Sequence, residues 1–178
     1  ILNNTGSGTF TTAVNYALGQ TPQPISIAIG DLNGDGKNDL AIANYYNYNV
    51  CILNNDGKGT FTSAAIYNMG AGNYSLAMGD LNGDGYNDLV VANYSSSLSV
   101  MLNTGTGTFA ATVNYVVGGS AVEVAIGDLN GDGKPDLAVA NESGSNASIL
   151  LNAGNGAFLP AINYSTGSNY SVAMGDLN

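Results

Sequence analysis

Short apolar runs, each bounded by Gly, Asn or Asp, punctuate the whole chain. Ile25–Ile29, Leu40–Ala43, Val50–Leu53 and Thr60–Tyr67 form the first set. Inside them Ile27 and Ile29 alternate with Ser26 and Ala28, the two-residue period of a strand. No stretch reaches the roughly 10–12 residues of helical periodicity that a helix needs. Bulky residues often share one side of a run while Ala, Ser or Gly takes the other. That pattern suits sheets covered on both faces better than a sheet with one wet face.

The set repeats. Gly30-Asp31-Leu32-Asn33 returns at Gly79, Gly127 and Gly175, with steps of 49, 48 and 48 residues between the aspartates. Phe10, Phe61, Phe109 and Phe158 keep the same beat, as do Tyr16, Tyr67, Tyr115 and Tyr164; the first interval of both is 51, because the connection Gln20–Pro24 is longer. Four strands joined by short turns make an antiparallel meander that cannot bury both of its own faces. Stacking such meanders radially does bury them, so the sequence predicts an all-β protein of β-propeller blades. A solenoid or a sandwich is the alternative, but solenoid coils are usually shorter and sandwiches do not repeat so regularly. The division is a partial blade over 1–24, repeats over about 25–73, 74–121 and 122–169, and a partial blade over 170–178. We expect a single propeller segment of a longer chain.

Each repeat carries an acidic loop between its first and second strands. Asp31-Leu32-Asn33-Gly34-Asp35-Gly36-Lys37-Asn38-Asp39 recurs as DLNGDGYND over Asp80–Asp88 and as DLNGDGKPD over Asp128–Asp136. Oxygen-bearing side chains hold positions 1, 3, 5 and 9: Asp31, Asn33, Asp35 and Asp39; Asp80, Asn82, Asp84 and Asp88; Asp128, Asn130, Asp132 and Asp136. Calcium takes about six to eight oxygens in a flexible cage. By analogy with the EF-hand loop, position 7 would add a backbone carbonyl, from Lys37, Tyr86 or Lys134. An EF-hand itself is excluded, because Ile42, Val91 and Val139 stand where its twelfth-position Glu belongs. Magnesium suits these loops less, since it keeps a small octahedral site with several waters. Asp176 and Asn178 begin a fourth loop.

Charge changes the picture further. The chain has 178 residues, only 9% of them charged, with 13 acids against three Lys and a net charge of −10. Nine of the acids lie in the three complete loops and a tenth is Asp176. Three bound Ca²⁺ would reduce the net charge from −10 to −4, since 3 × 2 = 6. The acidity argues against nucleic acid and anionic membrane as partners. No apolar run approaches the ~18 residues of a membrane span. With no His and one Cys, serine triads, Cys–His dyads and the usual zinc sites are excluded. Outside the loops only Asp56, Glu123 and Glu142 remain as acids, so a paired-carboxylate glycosidase has little to work with. We expect no enzyme here. Cys51 has no partner within the chain for a disulfide.

The unit Ile29–Asn44, with the later hairpin Leu53–Phe61, resembles the FG-GAP (VCBS-type) repeat, a family that includes the integrin alpha-subunit propeller, bacterial surface proteins and some fungal lectins. The resemblance covers essentially the whole chain. It implies a propeller with calcium in the loop joining the first two strands of each blade, one ion per complete loop, on the loop residues named above.

In a meander, alternate turns lie on opposite rims. The acidic loops and the Gly-rich hairpins Asn54–Gly59, Asn103–Gly107 and Asn152–Gly156 therefore share one rim. The opposite rim carries divergent turns rich in Asn, Ser and Tyr, and Tyr45, Tyr46, Tyr48, Tyr74, Tyr94 and Tyr170 are its candidate ligand contacts. The regularly spaced Tyr16, Tyr67, Tyr115 and Tyr164 read as structural. Asn-X-Ser/Thr triplets at Asn3, Asn73, Asn93, Asn141, Asn146, Asn163 and Asn169, together with the calcium loops, favour a secreted or cell-surface setting. The expected function is a non-enzymatic, calcium-binding module for adhesion or for a protein or glycan ligand. The alternatives are a lectin and a filament or ring assembled through open blade edges.

Overall fold

The computed structural model describes residues 1–19, 22–70 and 72–175. Among them there are strands and turns but no helix, and so no helix long and apolar enough to cross a membrane. Three four-stranded antiparallel sheets follow one another along the chain. The first holds β1 (Pro24–Gly30), β2 (Asp39–Asn44), β3 (Asn49–Asn55) and β4 (Phe61–Asn68). The second holds β5 (Asn73–Gly79), β6 (Asp88–Asn93), β7 (Ser97–Met101) and β8 (Val113–Val116). The third holds β9 (Ala121–Gly127), β10 (Asp136–Asn141), β11 (Asn146–Leu150) and, after the small hairpin β12 (Asn152–Gly154) and β13 (Ala157–Phe158), β14 (Ile162–Ser165). Neighbours in each sheet are neighbours in sequence apart from that hairpin. The four runs expected per repeat are thus present, with the fourth interrupted in the second repeat, after the Asn103–Phe109 bridge, and in the third. Pro160, which offers no N–H to a ladder, sits in the break between β13 and β14.

The core lies between sheets. Alternation in β2 sends Ala41 and Ala43 toward the second sheet, where they meet Leu76, Leu89 and Val91. Leu40 and Ile42 face the other way, with Cys51, Leu53 and Leu18. In β6 the same alternation gives Val90 and Ala92 to the third sheet, against Val124, Leu137 and Val139. Every residue of β2, β6 and β10 is buried. The small-against-large pattern in the sequence is the pattern of a strand covered on both faces, as β2 and β6 are.

The innermost strands approach closely. A Cβ on Gly30 would lie 2.5 Å from Met78 Sδ, and one on Gly127 would lie 2.9 Å from Met174 Sδ. Tyr16, Tyr67 and Tyr115 lock the outer part of the stack. Each packs edge-to-face on a phenylalanine of the following repeat (Phe61, Phe109 and Phe158) with ring centroids 5.4–5.8 Å apart. Each also accepts a hydrogen bond from that residue's N–H at 3.2–3.3 Å. Tyr164, their fourth counterpart, is exposed. Residues 1–14 form a hairpin closed by the Asn4–Phe10 bridge. The long connection Gln20–Pro24 falls partly on residues 20 and 21, outside the described residues.

Candidate metal centres

The three complete loops adopt the same winding, driven by the chain's own oxygens. In the first, Asp31 Oδ1 accepts the N–H groups of Asn33 and Gly34, and Asp31 Oδ2 accepts that of Gly36 at 2.8 Å. Asn33 Oδ1 accepts the Asp35 N–H, and Asp35 Oδ1 accepts the Lys37 N–H. These successive side-chain turns are the habit of Asp and Asn. They need left-handed backbone at Gly34 and Gly36, with φ of 76° and 78°, which glycine adopts without a Cβ clash. Asp80 repeats the pattern with Gly83 and Gly85, and Asp128 with Gly131 and Gly133. Backbone donors hold the Asp128 carboxyl below its ordinary range.

Position 9 plays a different part from positions 1, 3 and 5. Asp39, Asp88 and Asp136 are 0% exposed. One oxygen of each accepts the N–H of the loop's second residue, Leu32, Leu81 or Leu129, at 2.9–3.1 Å. The other accepts the N–H of Asn55, Asn103 or Asn152, at 2.7–2.9 Å. Each buried carboxylate therefore clasps its loop to the hairpin of its own sheet. Burial, with Asp84 and Asp80 nearby, pushes the Asp88 carboxyl up despite these two bonds.

The loops also reach the next sheet. Leu32 is 1% exposed and packs with Leu76, Leu89, Val91 and Met101 of the second sheet. Leu81 is 2% exposed and packs with Leu137, Val139 and Leu150 of the third. Asn103 Nδ2 donates to Leu32 O, and Asn152 Nδ2 donates to Leu81 O, both at 2.8 Å. Sequence reasoning left these leucines and asparagines unassigned, although one apolar residue recurring inside a polar loop was a visible signal.

The donor chemistry fits a hard divalent cation: three carboxylates, one amide oxygen and a backbone carbonyl per loop. A carboxylate has about four acceptor sites, so the amide contacts leave capacity over. The oxygens are not gathered on one centre, however. Among the described residues no group of three or more Asp, Glu, His or Cys side chains is close enough to hold a metal. Asp35 and Asp132 turn instead to the lysines at position 7, with Lys37 Nζ at 3.1 Å and Lys134 Nζ at 2.9 Å. The lysines draw both aspartates below their ordinary range. The second loop has Tyr86 there, and Asp84 Oδ2 accepts from Asn82 Nδ2 instead. The position-7 side chains of Lys37 and Tyr86 lie over the hairpin glycines Gly57 and Gly105. Asp176 and Asn178 lie outside the described residues.

The opposite rim brings five of the six candidate tyrosines into one row with a glutamate. Tyr46 meets Tyr45 at 5.3 Å between ring centroids, Tyr45 meets Tyr74 edge-on at 6.0 Å, and Tyr74 stacks on Tyr94 at 5.6 Å. The Tyr94 hydroxyl donates to Glu142 Oε2 at 2.7 Å, and the Tyr170 hydroxyl donates to Glu142 Oε1 at 2.9 Å. Tyr48 is exposed at a positive φ of 52°, outside the row. Glu142, the centre of the arrangement, was absent from the candidate contacts.

The FG-GAP-like repeat family matches residues 1–42, 31–91, 80–139 and 128–178. The chain belongs to this family, and its sheets are propeller blades. Among curated proteins none matches the sequence. Three solved structures share the fold. An Agrocybe aegerita lectin that recognises non-reducing terminal N-acetylglucosamine is 22% identical, with a TM-score of 0.57 over 96% of this chain and 46% of that one. BBS1N, crystallised in complex with ARL6DN, is 18% identical, with a TM-score of 0.60 over 87% of this chain and 48% of that one. The V. cholerae biofilm matrix protein Bap1 is 19% identical, with a TM-score of 0.51 over 89% of this chain and 23% of that one. The chain thus spans under half the length of each.

Proposed function

We propose that this is a non-enzymatic, calcium-stabilised propeller module of a secreted or cell-surface protein, acting in adhesion or ligand binding. The observation that carries the metal reading is the in-register loop of each blade, whose first, third and fifth side chains wind the backbone around oxygen donors. Asp31, Asn33 and Asp35, with Asp39 and the Lys37 carbonyl, would hold the ion in the first loop. Asp80, Asn82, Asp84, Asp88 and Tyr86 correspond in the second, and Asp128, Asn130, Asp132, Asp136 and Lys134 in the third. The ion supplies positive charge that relieves carboxylate repulsion; its role is structural. Because Leu32 and Leu81 leave the loops to enter the next blade's core, fixing a loop also fixes a blade-to-blade contact.

Calorimetric titration with Ca²⁺ and Mg²⁺, paired with thermal melts in millimolar Ca²⁺ and in excess chelator, tests this. Calcium should bind in preference to magnesium and raise the melting temperature. Identical melts in calcium and chelator overturn the metal reading.

The partner face is the rim opposite the loops, for a protein or a glycan. A lectin is the second reading, favoured by the tyrosine row, in which Tyr46, Tyr94 and Tyr170 are exposed. N-acetylglucosamine, the sugar of the A. aegerita neighbour, is the first to try on a glycan array; an array with no bound sugar removes this reading.

A further inference from the structure

The tyrosine row and Glu142 differ in kind from everything the repeats hold in common. Tyr45, Tyr94 and Glu142 occupy equivalent places, each directly after the buried asparagine that ends a second strand (Asn44, Asn93 and Asn141). Two repeats place a ring there and the third places a carboxylate. The first two blades and the segment after β14 supply the rings, and the third blade supplies the acid that joins Tyr94 to Tyr170. Two phenol donors stabilise the ionised carboxylate and hold it below the ordinary glutamate range. Each oxygen retains further acceptor capacity.

Glu142 has no cation on its rim. All three basic side chains, Lys37, Lys58 and Lys134, belong to the acidic loops and the first Gly-rich hairpin on the far rim. Among the described residues both ion pairs lie there as well. Aromatic faces carry negative quadrupole density and attract ammonium and guanidinium groups, most strongly when a carboxylate adds to the field. The row has three successive ring-to-ring steps of 5.3, 6.0 and 5.6 Å before it reaches the carboxylate. That is longer than a single ammonium group and suits several side chains of an extended segment.

We infer that the Tyr46–Tyr45–Tyr74–Tyr94–Glu142–Tyr170 row is a docking site for an Arg- or Lys-bearing segment of a partner protein. Glu142 takes one cationic head, and the exposed rings of Tyr46, Tyr94 and Tyr170 carry the stems and further heads. Guanidinium stacks on aromatic faces and pairs with carboxylate at once, so arginine should outrank lysine. The inference rests on the proposed reading of this rim as the ligand face.

The test uses the whole chain in calcium and two fluorescent peptides, one of alternating Arg and Gly and the other with each Arg replaced by neutral citrulline. Anisotropy should show the arginine peptide binding at least about tenfold more tightly than its citrulline twin, a factor worth about 1.4 kcal/mol. Raising salt should weaken only the former. Glu142→Gln should cost about tenfold and Tyr46→Ala severalfold. Asp56→Asn, which removes one charge from the far rim, should leave binding unchanged. Equal binding of the two peptides overturns the inference, as does an equal loss in Asp56→Asn and Glu142→Gln, which would mean attraction to net charge alone. Binding of N-acetylglucosamine oligomers with no affinity for the arginine peptide overturns it in favour of a sugar site. If Glu142→Gln fails to fold, the peptide pair and its salt dependence on the unaltered chain decide. A calcium-dependent melt that persists while the peptide fails to bind would sink this inference and leave the metal reading standing.

Discussion

Leu81→Ala and Leu129→Ala make the same change at the same place in the same nine-residue motif, yet the structure gives them different costs. Leu81 is 2% exposed and enters the core between the second and third blades, beside Leu137, Val139 and Leu150. Leu129 is 44% exposed. Truncating a fully buried leucine removes its transfer free energy and leaves a cavity, which together cost about 2–5 kcal/mol. Backbone on both sides of Leu81 is fixed, since its N–H donates to Asp88 and its carbonyl accepts from Asn152. The cavity has little freedom to collapse, so the upper half of that range applies. Leu129 loses a partly solvated contact and should cost under ~1 kcal/mol. Urea unfolding followed by far-ultraviolet dichroism, at fixed calcium, reads both. The midpoint should fall for Leu81→Ala with the slope unchanged. Equal losses for the two variants, or a loss below ~1 kcal/mol for Leu81→Ala, would refute the idea that loop leucines join successive blades.

Two further outcomes follow from the charges. Lys37→Gln and Lys134→Gln release Asp35 and Asp132 from exposed ion pairs that solvent screens. Calorimetry should show calcium affinity rising, by no more than about fivefold per loop, while Lys58→Gln changes nothing; weaker binding in the first two would contradict the competition. Tyr94 should resist ionisation, because its hydroxyl donates to Glu142 and is pushed from 10.0 up to about 12. A raised folded value means that this bond's stabilisation is complete below pH 10 and is lost as pH climbs through about 12. Glu142 has the opposite sign: its contribution is present above the ordinary glutamate range and is lost as acid takes pH through its lowered folded value. Ultraviolet titration of tyrosinate should find a late-titrating residue that returns toward 10 in Glu142→Gln; a titration unaltered by that change would contradict the bond.

Spacing made the loops, the strands and the blade architecture legible, since each depends on residues within one repeat. The aspartate step of 48–49 residues and the alternation in Leu40–Ala43 carry that information without any knowledge of neighbours. What sequence could not supply depends on which surface a repeat meets. Leu32, Leu81 and Leu129 have near-identical flanks, yet only the first two are buried, each among residues of the sheet that follows it in the chain. Asp39 was grouped with its loop partners by chemistry, but its two hydrogen bonds reach residues 7 and 16 positions away and define it as a clasp. Glu142 was a leftover acid in a divergent turn until contacts spanning 48 and 28 residues placed it among tyrosines.

These long contacts follow one rule of displacement. The acidic loop of a blade is clasped by its own hairpin through position 9, while in the first two loops the second residue belongs to the core of the blade that follows. Asn103 and Asn152 read the displaced carbonyls of Leu32 and Leu81 across 71 residues. A cation that tightened a loop would therefore also act on the contact between two blades. The tyrosine row crosses the same blade boundaries on the other rim, through Tyr45–Tyr74 and Tyr94–Glu142. Metal at one rim and ligand at the other would thus share the blade-to-blade contacts as their common element. Such coupling has to be reciprocal: if calcium strengthens peptide binding, the peptide must strengthen calcium binding by the same factor.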